Sequence, residues 1–313
     1  MEAAIPFLYL LTFGALAFGL IVGSFANVVI HRVPREESIV SPPSRCPHCG
    51  ASIRPWQNVP VLSWILLLGR CANCQAAISA RYPAVEALHG LGFTLLLLKY
   101  GPTPFLPALL FFYSAMIILA FIDWDVQLLP DVLTLPGILI GLAASLLPGS
   151  LIDWRESAIA AAMGYLAFAA IARGYLAFRG IEGLGQGDWK LAAFMGAFLG
   201  VQRFLLAVFL ACVSGLAYGL VQAMKLRAAS PVGRSHHPSE LEGATSAFAS
   251  LPLAEVAPVE GGAEEDHTLS PPSEPPPIGL YRLPFGTFLA GAAIVVLLLG
   301  ELILSWYRGQ MHG

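Results

Sequence analysis

Four of the five cysteines fall in two pairs, Cys46-Pro47-His48-Cys49 and Cys71-Ala72-Asn73-Cys74, with 21 residues between them. Each pair presents two thiolates on one tight turn. Two such turns facing each other complete a tetrahedral four-sulfur site of the kind Zn²⁺ takes. Four thiolates leave no position open for water, so the expected metal, held by Cys46, Cys49, Cys71 and Cys74, is structural. Cys212 lies in an apolar run and reads as a packed, inert thiol.

The second chemistry-bearing group is acidic. One apolar run ends in Phe121-Ile122-Asp123-Trp124-Asp125-Val126-Gln127-Leu128-Leu129-Pro130-Asp131, and another is followed by Glu182-Gly183-Leu184-Gly185-Gln186-Gly187-Asp188-Trp189-Lys190. Two carboxylates brought close cannot both ionise, so they share a proton. An ionised member can then take a proton from water while the protonated member donates to a developing oxyanion, which is what an aspartyl protease requires. Glycines beside Asp188 would let an extended substrate lie against the backbone. Spacing alone leaves other readings open. Asp123 could be an interfacial anchor, and Asp125 solvated, supporting or itself catalytic. Asp131, after Pro130, reads as a helix N-cap, and Glu182 as exposed. The glycines lack the preceding strand that a nucleotide loop needs.

These groups sit in a chain of 313 residues that is 57% hydrophobic and 12% charged, with a mean hydropathy of +0.71. A soluble domain carries about 25% charged residues, so much of this surface is expected to face lipid. The net charge of −3 and the lack of a basic face argue against a nucleic-acid partner. Apolar stretches of spanning length fall at 6–30, 83–100, 104–122, 132–148, 157–172, 203–223 and 284–306. The first has no basic residues before it and is expected to be a retained span rather than a cleaved signal peptide. A shorter stretch, 191–200, is expected to be an eighth span because the charge pattern demands it.

If 191–200 crosses, thirteen of the 17 Lys and Arg fall on one side: Arg32 to Arg81 in the first loop, then Arg173, Arg179 and Lys190, then Lys225, Arg227, Arg234 and Arg282. Only Lys99, Arg155, Arg203 and Arg308 fall on the other. The positive-inside rule then puts the large loops in the cytoplasm and both termini outside. The expectation is an all-α polytopic membrane protein of about eight transmembrane helices with a small cytoplasmic zinc-knuckle domain. Its parts are a first span (1–30), a zinc-binding domain (31–82), a transmembrane core (83–224), a disordered cytoplasmic loop (225–283) and a last span with its tail (284–313). The 31–82 loop is too small to fold on a core alone, so a metal staple is expected, and its placement disfavours disulfides. The 225–283 loop is rich in Pro, Ser and Glu, and too polar to offset its ordering entropy. Its His236-His237 pair reads as solvated.

Together these motifs resemble the type IV prepilin peptidase family, bifunctional leader peptidase/N-methyltransferases related to presenilin-like G-x-G-D aspartyl proteases. The resemblance runs through Gly23 to Pro34, the two cysteine pairs enclosing Asn58-Val59-Pro60-Val61-Leu62-Ser63-Trp64, Ile78 to Glu86, Asp123 to Pro136, Glu182 to Lys190, and Pro284-Phe285-Gly286-Thr287-Phe288-Leu289-Ala290. Only 225–283 is longer than the pattern. The resemblance implies that Asp123 and Asp188 are the catalytic aspartates. It implies cleavage of prepilin or pseudopilin leaders at the cytoplasmic face of the bacterial inner membrane, and methylation of the new N-terminus from S-adenosylmethionine. Gly69-Arg70 and Glu86 are candidates for the methyl-donor site. The rival readings are a transporter using Asp123 and Asp188 as a proton relay, and a non-enzymatic scaffold of a secretion machine.

Overall fold

The structure is a computed structural model that describes residues 4–180, 183–229 and 284–311. Its helices are α1 (Ala4–Arg32), α2 (Leu62–Leu66), α3 (Arg81–Tyr100), α4 (Leu106–Val126), α5 (Asp131–Ala144), α6 (Trp154–Arg179), α7 (Gln186–Ala229) and α8 (Phe285–Met311). Among the described residues there is no strand beyond two isolated bridges in the cysteine loop. Five segments are long and apolar enough to cross a membrane: Phe7–Arg35, Leu106–Val126, Trp154–Arg179, Gln186–Lys225 and Phe285–Arg308. The shorter apolar helix α5 and the twenty-residue α3 complete the bundle.

The chain divides into two compact units. One comprises residues 1–217 with 284–313, the other 218–283. Of the second, only the helical residues 218–229 are described, where Gln222 Nε2 donates to Tyr218 Oη at 2.7 Å. The helix therefore runs past residue 225, where the disordered segment was expected to begin. The rest of that segment, with His236, His237, Arg234 and Arg282, lies outside the described residues, as does Glu182.

The bundle is stitched by small residues, as membrane helices require in the absence of a hydrophobic drive between them. Gly19 and Gly23 of α1 lie on His89 and Glu86 of α3, so closely that an added Cβ would come within 2.6 Å of backbone atoms. Gly164 of α6 meets Ala192 of α7, and Gly196 meets Ala160. Between α4 and α7, Phe112 stacks on Phe198 at 4.6 Å and meets Phe194 edge-on at 5.4 Å. Gly137 and Gly141 of α5 leave room for those two rings.

The short stretch 191–200 behaves as the charge pattern demands. From Ala192 to Gly200, α7 runs antiparallel to α6: Ser157 Oγ donates to the Ala197 carbonyl at 2.7 Å, and Gly200 lies against Ile152 and Glu156. At Gly200 the backbone leaves the helix with φ 73° and ψ 175°, a conformation open to glycine because it has no Cβ. The Phe204 ring then lies back against Gly164. The chain thus reverses, and α7 is two antiparallel helices joined by one glycine. The sparse basic residues collect at that end. Arg203 bonds the Leu151 carbonyl and pairs with Glu301, and Lys99 Nζ donates to the carbonyls of Leu297 and Leu298 at 2.8 and 2.9 Å.

Candidate active site

At the opposite end from Lys99 and Arg203, three helix termini meet. Asp123 lies in the last turn of α4, Asp188 in the first turn of α7, and Thr287 in the first turn of α8. Asp123 is 5% exposed and Asp188 9%. Asp188 lies near enough to Asp123 to feel its charge directly. Buried acids at membrane depth are costly and mark functional sites, and here two of them share one place.

Glycines make the approach possible. The Gly286 Cα faces Asp123 so closely that a Cβ there would sit 3.0 Å from the carboxyl carbon. A Cβ on Gly187 would lie 2.8 Å from that of Leu129. Buried Leu129, just past α4, is thus the wedge against which both the α7 start and the α8 start close. Gln127, with φ 52° and its N–H on the Asp123 carbonyl at 2.9 Å, ends α4 and turns the chain toward Leu129.

Asp123 has fixed partners. The Thr287 backbone N–H donates to its Oδ2 at 2.7 Å, and the Thr287 hydroxyl lies 3.0 Å from the same oxygen. That N–H is one of the first-turn donors a helix leaves unpaired, so Asp123 caps α8 from another helix. Around Asp188, Trp189 packs edge-on to Tyr165 at 6.0 Å, and the Arg173 guanidinium lies 5.7 Å from the Trp189 ring centre.

The neighbouring acids separate cleanly from this pair. Asp125 is exposed and takes Arg81 through both oxygens, at 2.8 and 2.7 Å, while the same guanidinium lies 4.6 Å from the centre of the Phe121 ring. It ties α4 to the start of α3. Asp131 was expected to cap α5. The cap position is instead Pro130, and Asp131, the first helical residue, makes no capping bond but binds Lys190 through both oxygens at 2.7 Å. The Lys190 side chain lies within reach because the α7 start is drawn against Leu129, a tertiary contact that outweighs the local capping preference.

The cysteine loop forms a separate centre. All four Sγ atoms of Cys46, Cys49, Cys71 and Cys74 lie within 4.8 Å of one another, and Cys46 and Cys74 are 3.8 Å apart. A tetrahedron with Zn–S bonds of about 2.3 Å has edges of about 3.8 Å, so the cluster fits a zinc ion. The two knuckles repeat each other bond for bond. Cys46 N–H donates to Ala51 O and Cys71 N–H to Ala76 O, each at 2.9 Å. Gly50 N–H returns to Cys46 O at 2.9 Å and Gln75 N–H to Cys71 O at 3.0 Å. None of the described cysteines is in a disulfide.

The methyl-donor candidates behave differently. Glu86 is buried, with its Oε2 on the Val61 N–H at 2.7 Å and a further hydrogen bond from Ser24. Gly69, also buried, has φ 67° and no space for a side chain beneath Trp64. Both hold the loop together, and Arg70 alone of the three is exposed.

Sequence reasoning overlooked Thr287, although it stands inside the quoted Pro284–Ala290 segment. Only its position in the first turn after Pro284 hinted at a free N–H.

Residues 17–100 match the Bacterial Peptidase A24 N-terminal domain and residues 110–220 match the Type IV leader peptidase family. The chain is similar to a prepilin leader peptidase/N-methyltransferase of Myxococcus xanthus (strain DK1622), 42% identical over 214 residues, which are 68% of this chain and 63% of that protein. It is similar to one of Burkholderia pseudomallei (strain 1026b), 38% identical over 250 residues, 72% of this chain and 80% of the relative. It is also similar to one of Aeromonas hydrophila, 33% identical over 314 residues, 93% of this chain and 91% of the relative. No solved structure matches it. With most of the chain covered by the two family regions in order, and a relative aligned along nearly its whole length, the chain belongs to the Type IV leader peptidase family.

Proposed function

We propose that this chain is a membrane aspartyl endopeptidase that removes the leader from type IV prepilins or pseudopilins, with Asp123 and Asp188 as its catalytic pair. The observation that carries the reading is the meeting of two buried carboxylates from two different helices at one end of the bundle. The protonated member donates to the carbonyl oxygen of the scissile bond while the ionised member takes a proton from water. The water oxygen forms the new C–O bond. Collapse of the tetrahedral species then breaks the C–N bond, and the proton taken from water passes to the leaving amine. Thr287 N–H holds Asp123 Oδ2 as an acceptor and so fixes the orientation of the carboxylate.

The basic residues of the first loop, with Arg173, Arg179 and Lys190, support reading this end as the cytoplasmic side of a bacterial inner membrane. A prepilin with a basic leader and an apolar helix would then present its scissile bond at the level of the pair. A proton relay needs access from both faces, whereas both buried acids lie at one end. Zn²⁺ on Cys46, Cys49, Cys71 and Cys74 would be structural, fixing the two knuckles to each other. The names of the relatives support a second activity, N-methylation, for which S-adenosylmethionine would supply the methyl group; no step of it is assigned to Gly69 or Glu86.

The test is leader cleavage by purified Asp123→Asn and Asp188→Asn in lipid. Asn keeps the shape and removes the charge and the titrating proton. Both should be inactive while retaining zinc; cleavage at the wild-type rate by either one would end the aspartyl-protease reading.

A further inference from the structure

The cysteine loop carries an apolar face that the proposed chemistry does not use. Leu62, Ile65 and Leu66, on one side of α2, are exposed together with Leu68, the last two to 81% and 83%. In a water-soluble module such a cluster would mark a binding surface or an aggregation liability.

Its depth says what covers it. Arg81 opens α3 and pairs with Asp125 at the end of α4, so these two helix ends share a level with the catalytic pair. Glu86 lies five residues farther along α3, about 7.5 Å deeper at 1.5 Å per residue. Its carboxylate, reaching back toward the helix start, holds the Val61 N–H immediately before α2. The other partner of Glu86, Ser24, lies eight residues short of the α1 end, about 12 Å inside the helix. α2 therefore begins between the levels of Arg81 and Glu86, inside the ends of the spans rather than above them.

Its backbone suits that position. Ser63, Ile65, Leu67 and Gly69 donate their N–H groups to Val59, Val61, Ser63 and Trp64 in turn, at 2.8 to 3.1 Å. The Trp64 Nε1 donates to the Ile78 carbonyl at 3.0 Å. The segment thus turns its paired backbone inward and its leucines outward, as hydrocarbon demands. At its borders stand exposed Arg70 and Trp56, the latter with the Arg54 guanidinium 5.3 Å from its ring centre, side chains that favour the headgroup level.

We propose that α2 with Leu68 is an interfacial wedge, immersed in the leaflet on the side of the cysteine loop and covered by lipid acyl chains, so that the metal-binding loop is moored to the bilayer beside the catalytic pair. The test uses the full chain in nanodiscs, with Cys212→Ser and one added cysteine at a time: Leu66→Cys, Leu68→Cys, or Glu37→Cys as the water-side control. Each is labelled with bimane and exposed to doxyl-bearing phosphatidylcholine or to iodide. Protein without an added cysteine corrects for labelling of the zinc ligands, and zinc content verifies that the loop is folded. For a face lying at the boundary of headgroups and acyl chains, lipid-borne quencher should cut emission at 66 and 68 about twofold, while iodide acts mainly at 37. Leu62→Cys reads the same face should one of the others lose zinc. Iodide access at 66 and 68 equal to that at 37 overturns the proposal. Access that disappears only when a prepilin is added also overturns it, and assigns the face to the substrate.

Discussion

Thr287 directs both its backbone N–H and its hydroxyl at one oxygen of Asp123, at 2.7 and 3.0 Å. The hydroxyl also lies 3.0 Å from the Ala120 carbonyl, and its single proton can serve only one acceptor at a time. The backbone N–H is the constant partner, and the hydroxyl strengthens the hold whenever Asp123 is ionised. A hydrogen bond to a charged group contributes about 1.5–3 kcal/mol, less where another donor remains. Thr287→Val should therefore lower kcat for leader cleavage by about threefold to tenfold with KM little changed, since roughly 1.4 kcal/mol is tenfold in rate. Thr287→Ser, which keeps the hydroxyl, should restore most of it. Equal kcat in Val and wild type would show that the backbone N–H suffices.

The acids next to the pair should be far less sensitive. Asp125 with Arg81 and Asp131 with Lys190 are bidentate pairs, but each carboxylate is more than a third exposed. Pairs so exposed contribute about 1 kcal/mol or less. Asp125→Asn and Asp131→Asn should each keep cleavage within about tenfold of wild type. A dead Asp125→Asn beside an active Asp123→Asn, at matched expression, would transfer the first catalytic role by two residues.

What the sequence made legible were features carried by composition or local spacing. The cysteine pairs, the eight apolar stretches and the two aspartate motifs were all of this kind. Even the weak stretch 191–200 was legible, because a charge count constrained it from outside. What stayed hidden was whatever depended on two distant segments meeting. Asp131 follows a proline and heads a helix, so a cap was the natural local reading; only the closing of α7 on Leu129 brings Lys190 to it. Glu86 carries no local sign that its carboxylate takes the N–H of Val61, 25 residues away. The Asp123–Thr287 bond spans 164 residues, and a threonine in an apolar helix start carries no mark of its partner.

Asn73 gives a handle on the metal centre. Its side-chain amide reaches across from the second knuckle to Cys49 Sγ at 3.6 Å. That donor, with the Ala51 backbone N–H, pulls the Cys49 thiol down to about 6. A thiol binds metal as the thiolate, so acid displaces zinc by protonating the ligands, and a ligand with a lowered pKa holds on to lower pH. Asn73→Ala removes the larger of the two causes, returns the thiol toward its ordinary range and should move the pH of half-release of zinc upward. A colorimetric chelator read during acid titration gives the midpoint. An unchanged midpoint would mean that the backbone donors set the thiolate alone.

The two knuckles differ at one backbone position in a way that predicts a stabilising change. After Cys49 the chain turns through Gly50 at φ 69°, and after Cys74 it makes the same turn through Gln75 at φ 60°. Both residues return their N–H to the first cysteine of their knuckle, so the left-handed conformation is required in each. An L-residue with a Cβ pays about 1–2 kcal/mol to sit there, which glycine escapes. Part of that gain is lost because glycine also loosens the unfolded chain. Gln75 is exposed and makes no side-chain contact that would be forfeited to the fold of the knuckle. Gln75→Gly should therefore stabilise the zinc loop by about 0.5–1 kcal/mol, seen as a higher temperature of zinc release in detergent-solubilised protein. Gly50→Gln should lower that temperature by a similar amount, because it places the same strain in the matching turn. If Gln75→Gly releases zinc at a lower temperature than wild type, the equivalence of the two knuckles fails.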